Sequence, residues 1–116
     1  MTSRPQKIAL VFYRTANGNE PVRDWLLGLD ERNRRGIGLD LMRVQFGWPL
    51  GMPLVRPLGD GLFEVRTGLP DKTIARVLFS FHQGELFALH GFIKKTRATS
   101  PEDLELARKR KAELEK

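Results

Sequence analysis

Apolar residues fall in blocks whose spacing changes along the chain, and that spacing predicts the elements. Residues 7–13 (KIALVFY) are apolar at successive positions, the pattern of a short strand covered on both faces. Asn17, Gly18 and Asn19 break the run. Asn19 is placed to cap a helix beginning Glu20-Pro21, with proline in the first turn, where it is tolerated. In that helix Val22, Trp25, Leu26 and Leu29 recur at i, i+3, i+4 and i+7, one apolar stripe. Asp30 is expected to end it and to cap a second helix running to about Phe46. Two stripes overlap there, Ile37-Leu41-Val44 and Leu39-Met42-Phe46, so the second helix is expected to be largely covered. Gly36 and Gly38 each cost it roughly 1 kcal/mol of propensity, which packing must offset. The two helices read as a hairpin.

Residues 47–61 are crowded with proline and glycine and read as a loop. At Leu62 the period changes to two. In LFEVRT, Phe63 and Val65 take one face and Glu64 and Arg66 the other. Residues 68–72 (GLPDK) make a turn, 73–82 a second strand, Gln83-Gly84 a tight turn, and 85–93 a third strand. Ser100-Pro101-Glu102-Asp103 is a helix start, with a serine cap, proline at the first position and an acidic residue three on. The helix over about 101–115 has only Leu104, Leu106, Ala107, Ala112 and Leu114 to bury, so it is expected to be the least firmly docked element. The order is strand, two helices, three antiparallel strands, helix: a small α+β domain with helices packed on a sheet.

Composition fits one such domain. The 116 residues are 41% hydrophobic and 29% charged, too apolar for a wholly disordered chain. There is no apolar run of about 18 residues, so no transmembrane helix is expected. MTSRPQK followed by IALVFY lacks the apolar length and cleavage site of a signal peptide. The absence of cysteine rules out disulfide scaffolds, thiol nucleophiles and thiolate zinc sites, and fits the cytoplasm. His82 and His90 leave little for a histidine metal centre, so neither metal nor cofactor is expected. The net charge of +6 and pI near 10.2 point to a polyanionic partner. The excess lies in residues 1–60 (9 Lys+Arg, 6 Asp+Glu) and 94–116 (8 and 5), framing a neutral 61–93 (3 and 3).

Strand register suggests where the chemistry gathers. If 68–72 is a symmetric five-residue loop, Thr67 faces Thr73 and Glu64 stands opposite Arg76. If Gln83-Gly84 is a two-residue turn, Arg76 faces Gly91 and Lys95 follows on the same face. One face would then hold Glu64, Arg66, Arg76 and Lys95, with Arg97 just beyond. Cations around one carboxylate can bind phosphate and stabilise the charge that builds in phosphoryl transfer. The competing reading is a solvated ion pair contributing about 0–1 kcal/mol. Arg108-Lys109-Arg110-Lys111 fits either RNA contact or a favourable interaction with a helix C-terminus. His82 reads as exposed at a hairpin tip, and His90, alternating with Ala88 and Phe92, as a hydrogen-bonded structural residue on the core face. Trp25 and Trp48 read as packing residues. Asp24, Asp60 and Asp71 are scattered singly, so a two-metal nuclease centre is not expected. No P-loop, dinucleotide fingerprint, nucleophile elbow or zinc-helix motif occurs.

Four strings in order, PVRDWLLGL (21–29), RPLGDGLFEVR (56–66), ARVLFSFHQGELFALHGFIKKT (75–96) and SPEDLELARKRKAEL (100–114), resemble the phage-derived, HigB-like branch of the RelE/ParE toxin superfamily. The resemblance implies a single RelE/HigB-like domain over 1–116 and a type II toxin–antitoxin toxin with a RelE-like α+β fold. The implied activity is a cytoplasmic, cofactor-free and metal-independent endoribonuclease that cuts mRNA in the ribosomal A site. The substrate 2′-hydroxyl attacks the adjacent phosphorus. The implied partners are a helix-turn-helix antitoxin encoded next to it, the ribosome and mRNA. Operator DNA would be met only through the antitoxin, and a membrane not at all. The positions carried over are Glu64, Arg66 and Arg76, with Lys94, Lys95 and Arg97 after the third strand. Glu64, the only carboxylate of the set, is the candidate base. Arg66 and Arg76 would clamp phosphate, and Lys95 is the candidate acid. Lys94, Arg97, Arg108, Lys109, Arg110 and Lys111 would contact RNA. The C-terminal helix has no Tyr or His, and Tyr13 is the only tyrosine, so one role found in some relatives has no matching position. Two alternatives stand beside this activity: a non-catalytic basic module that binds RNA, ribosome or antitoxin, and a gyrase-poisoning toxin like those of the ParE side.

Overall fold

A computed structural model describes residues 7–95 and 98–115. The elements are β1 (Leu10–Phe12), α1 (Pro21–Leu27), α2 (Glu31–Gly47), β2 (Val55–Gly59), β3 (Leu62–Gly68), β4 (Ile74–His82), β5 (Glu85–Lys94) and α3 (Pro101–Leu114). They form one five-stranded sheet in the order β1-β5-β4-β3-β2, an antiparallel meander with β1 added parallel to β5. The expected α+β architecture is the observed one.

Alternation along the strands decides the two layers. Val55, Val65, Val77, Phe79 and Ala88 face the α1–α2 hairpin and pack on Val22, Leu26, Ile37, Leu41 and Val44. Leu62, Leu78, Leu89 and Phe92 face the other way and pack with Tyr13 under Ala107 of α3. Ala107 is the one fully buried residue of α3, so its apolar docking is as thin as the sequence implies. Polar ties supplement it: Arg110 Nη1 donates to Leu89 O at 2.8 Å, and the Tyr13 hydroxyl donates to Glu113. Asp30 and Ser100 cap their helices as expected, accepting from the backbone N–H groups of Asn33 and Asp103.

Several expectations fail. β1 is an edge strand and only half-buried, because nothing pairs with its outer side among the described residues. The proline- and glycine-rich stretch read as a loop contains β2. Asn19 does not cap α1. Glu20 holds the N-cap position without a side-chain bond, while Asn19 closes a turn with Thr15. The Leu39-Met42-Phe46 stripe is uncovered, with Leu39 52% exposed and Met42 and Phe46 each 45%. Trp25 and Trp48 are packing residues: Trp48 meets Phe63, Phe79 and Phe81, and Trp25 lies over Gly91. A Cβ at Gly91 would sit 2.5 Å from the Trp25 ring, so only glycine lets α1 come this close to β5.

Two registers set the site. Across β3 and β4, Gly68 pairs with Ile74 and Arg66 with Arg76, so Glu64 stands opposite Leu78 rather than Arg76. Across β4 and β5, pairing starts at His82–Glu85, but Leu78 pairs with His90 and Phe79 with Ala88, leaving Leu89 as an extra residue. Arg76 therefore meets Phe92, not Gly91.

Candidate active site

The two register differences act oppositely on the site. The β3–β4 slip is two residues, so every side chain keeps its face and Glu64, Arg66 and Arg76 still gather beneath α3. The bulge at Leu89 adds one residue and reverses the alternation beyond it. Phe92 and Lys94 therefore share the face of Arg76, and Lys95 is exposed past the end of β5. The same bulge places His90 with Phe92 but opposite to Ala88, on the α3 side rather than the hairpin core.

Glu64 and Arg76 are fully buried. Oε1 of Glu64 lies 3.5 Å from Nε of Arg66 and 4.0 Å from Nε of Arg76. The Thr99 hydroxyl donates to the other oxygen, Oε2, and accepts from Arg76 Nη1 at 3.4 Å. Thr99, just ahead of the cap of α3, thus joins carboxylate and guanidinium. Burial lowers the Arg76 pKa, Glu64 opposes that change, and Arg66 and Arg56 reinforce it. Arginine nonetheless stays cationic at neutral pH. Glu64 Oε1 and Arg66 Nε are buried with no hydrogen-bond partner among the described residues. Such atoms are costly in a folded protein, and a ligand that satisfied them would recover that cost.

Beside this cluster, Arg56, Leu58, Ala98 and Thr99 line an open groove of about 340 Å³. Arg56 pairs with Glu64 across β2 and β3 and is exposed. Sequence reasoning misses Arg56, because the surrounding prolines and glycines hide β2, and it misses Thr99. The alternation Val55-Arg56-Pro57, apolar residues either side of an arginine, is the signal that could have found Arg56. It misses Asp103 as well, outside its capping role. The Asp103 carboxylate accepts from His90 Nε2 at 2.7 Å, from Ser100 Oγ at 2.7 Å and from Lys94 Nζ. Burial works against its ionisation, but these bonds outweigh it and bring its pKa down to about 2. Lys94 is therefore tied to α3, and His90 is hydrogen-bonded as expected.

The run 108–111 does not form one patch. Arg108 and Lys109 are exposed, while Arg110 binds Leu89 O and lies over the Tyr13 ring. Lys111 pairs with Glu115. His82 is half-exposed at its hairpin tip, beside Phe87. Arg97 lies outside the described residues. Among the described residues no three His, Cys, Asp or Glu side chains gather as a metal site, and no helix is long and apolar enough to cross a membrane.

These features define a small basic α+β domain whose meander carries a buried carboxylate among arginines under a C-terminal helix. Residues 24–112 match the family described as Phage derived protein Gp49-like (DUF891). The chain belongs to that family, a RelE/ParE-like toxin family of toxin–antitoxin systems, and membership implies an antitoxin partner. No curated protein matches the chain.

Proposed function

We propose that this toxin is a ribosome-dependent mRNA endoribonuclease of the HigB-like kind, cutting by attack of the substrate's own 2′-hydroxyl. The observation that carries the reading is the pair of unsatisfied buried atoms facing each other, Glu64 Oε1 and Arg66 Nε. The first can accept a proton from a 2′-hydroxyl and the second can donate to a phosphate oxygen. Glu64 takes the 2′ proton, O2′ forms a bond to phosphorus, and the bond from phosphorus to O5′ breaks. Arg66 and Arg76 stabilise the added charge on the phosphate oxygens, and Arg56 receives the flanking backbone in the groove. Lys95 lies past the end of β5 and Lys94 is committed to Asp103, so the departing O5′ takes its proton from water in the groove. Substrate has to displace Thr99 from Glu64, and the ribosome supplies the orientation for that.

The test is to incubate purified protein with ribosomes translating a defined mRNA and to map the new 5′ ends and the 3′ termini. Cuts with 2′,3′-cyclic or hydrolysed phosphate ends, abolished in Glu64→Gln, support the reading. Intact messages in a translating system that nevertheless stalls would replace it with the non-catalytic binding module.

A further inference from the structure

The Leu39-Met42-Phe46 stripe is left half uncovered by its own chain, and we propose that it is where the antitoxin grips this toxin. The inferred occupant is an amphipathic helix of the antitoxin with acidic residues flanking its apolar face. The stripe runs along the outer side of α2 at i, i+3 and i+7, with each side chain about half exposed. Spacing of this kind suits an apolar helix laid alongside. Trp48, which ends α2, brings Phe81, 44% exposed, to the same end of the helix. Gly38 sits four residues before Met42. A Cβ there would meet nothing within 4 Å, so no internal contact requires glycine, and the bare backbone leaves room for a partner. Contiguous exposed apolar surface rimmed by charge marks an interaction site.

Charge selects the occupant. The exposed rim carries Arg32, Arg35 and Arg43, with Glu31 and Asp40 answering two of them. A second copy of a chain with net charge +6 would bring the same arginines against each other. An acidic-flanked helix meets them with opposite sign. This grip rests on the toxin–antitoxin membership and not on the cleavage chemistry. α2 covers one face of the sheet and the Glu64 cluster lies on the other, so it needs no contact with the site.

The probe is the protein encoded beside this chain's gene, accepted as the antitoxin by its rescue of growth on co-expression. Met42→Glu and Phe46→Glu should each weaken its binding by about tenfold or more, the scale of an interface hot spot. Met42→Lys should weaken it less than Met42→Glu, because only the first keeps the favourable sign. All three should still arrest growth when expressed alone, whereas Glu64→Gln should lose cleavage and keep antitoxin affinity, so the two readings fail separately. Should a glutamate variant not fold, the cysteine-free chain allows a fluorophore at Met42→Cys, whose emission should shift to the blue on complex formation, with Lys109→Cys as the unshifted control. Unchanged affinity in Met42→Glu and Phe46→Glu, or no shift at Met42→Cys, overturns the proposal. So does a wild-type dimer that Phe46→Glu makes monomeric at constant antitoxin affinity, which would assign the stripe to a second copy.

Discussion

Arg66 and Arg76 stand directly opposite one another on β3 and β4, and Oε1 of Glu64 lies within 4.0 Å of the Nε of each. Like charges in direct cross-strand register repel, and the shared carboxylate makes the pairing tolerable. That dependence exposes the cluster to mutation from either side.

Arg76→Ala leaves a fully buried carboxylate with less compensation, and breaking a buried pair of this kind costs about 3–5 kcal/mol. We expect abolished toxicity, a lower denaturation midpoint and intact antitoxin binding. Arg76→Lys should also be inactive, because an ammonium cannot give bidentate contact to phosphate. Denaturant titration beside a growth assay checks both. An Arg76→Ala protein that folds and still arrests growth at the wild-type level removes Arg76 from the site.

Glu64→Gln keeps the shape and removes the base. Cleavage should slow by something like 10²–10⁴-fold in single-turnover reactions on programmed ribosomes. A rate within twofold or so of wild type would show that the carboxylate only separates the arginines.

The Asp103 carboxyl has a folded pKa of about 2 against an ordinary 3.8. A folded value below the unfolded one means that its stabilisation is complete above the unfolded pKa and fades as pH falls towards 2. The contribution is about 2 kcal/mol. Stability should therefore decline between about pH 4 and pH 2 as the ties from α3 to His90 and Lys94 weaken. Asp103→Asn should be less stable at neutral pH and flatter across that window. Denaturation midpoints over an acid series measure it, and identical profiles for the two proteins would contradict the assignment.

Salt dependence separates the cations of α3. Neutralising exposed Arg108 and Lys109 to Gln should lower the slope of log affinity for ribosomes against log salt by roughly one for each phosphate left without its cation. Arg110→Gln should instead cost thermal stability, since it severs the bond to Leu89 O and the packing on Tyr13. An unchanged slope in the Arg108/Lys109 double variant would return these residues to stabilising the helix end.

Faces are legible in the sequence where register errors come in even steps. Placing Glu64 opposite Arg76 is off by two residues, and the grouping of Glu64, Arg66 and Arg76 survives because side chains alternate with period two. Lys95 is misplaced because nothing local in ELFALHGFI announces that Leu89 is unpaired. A bulge is settled by packing against α3, here by Leu89 and His90 both turning to that side. β2 hides behind prolines that an edge strand tolerates. The second stripe of α2 is visible, but periodicity reports which residues are apolar and not what covers them. Thr99 meets Glu64 and Arg76, and Asp103 meets His90 and Lys94, only once α3 docks on the sheet; the Ser100–Asp103 cap alone is local.

The unpaired Leu89 makes one spot in β5 tolerant of a change in length. Deleting it would leave Phe79 opposite Ala88 and Leu78 opposite His90, now as regular neighbours, so every residue beyond would keep its partner and its face. The expense would be one buried leucine side chain and the carbonyl that accepts from Arg110 Nη1. Deleting Ile93 instead would move Lys95 into the place of Lys94, beside Asp103, but would set Lys94 where Ile93 packs against the hairpin core. Deleting Gly91 would by the same shift bring Phe92 against the Trp25 ring, where not even a Cβ fits. Three single-residue deletions within five positions of one strand thus fall into three grades of severity, and neither hydropathy nor charge along that strand ranks them.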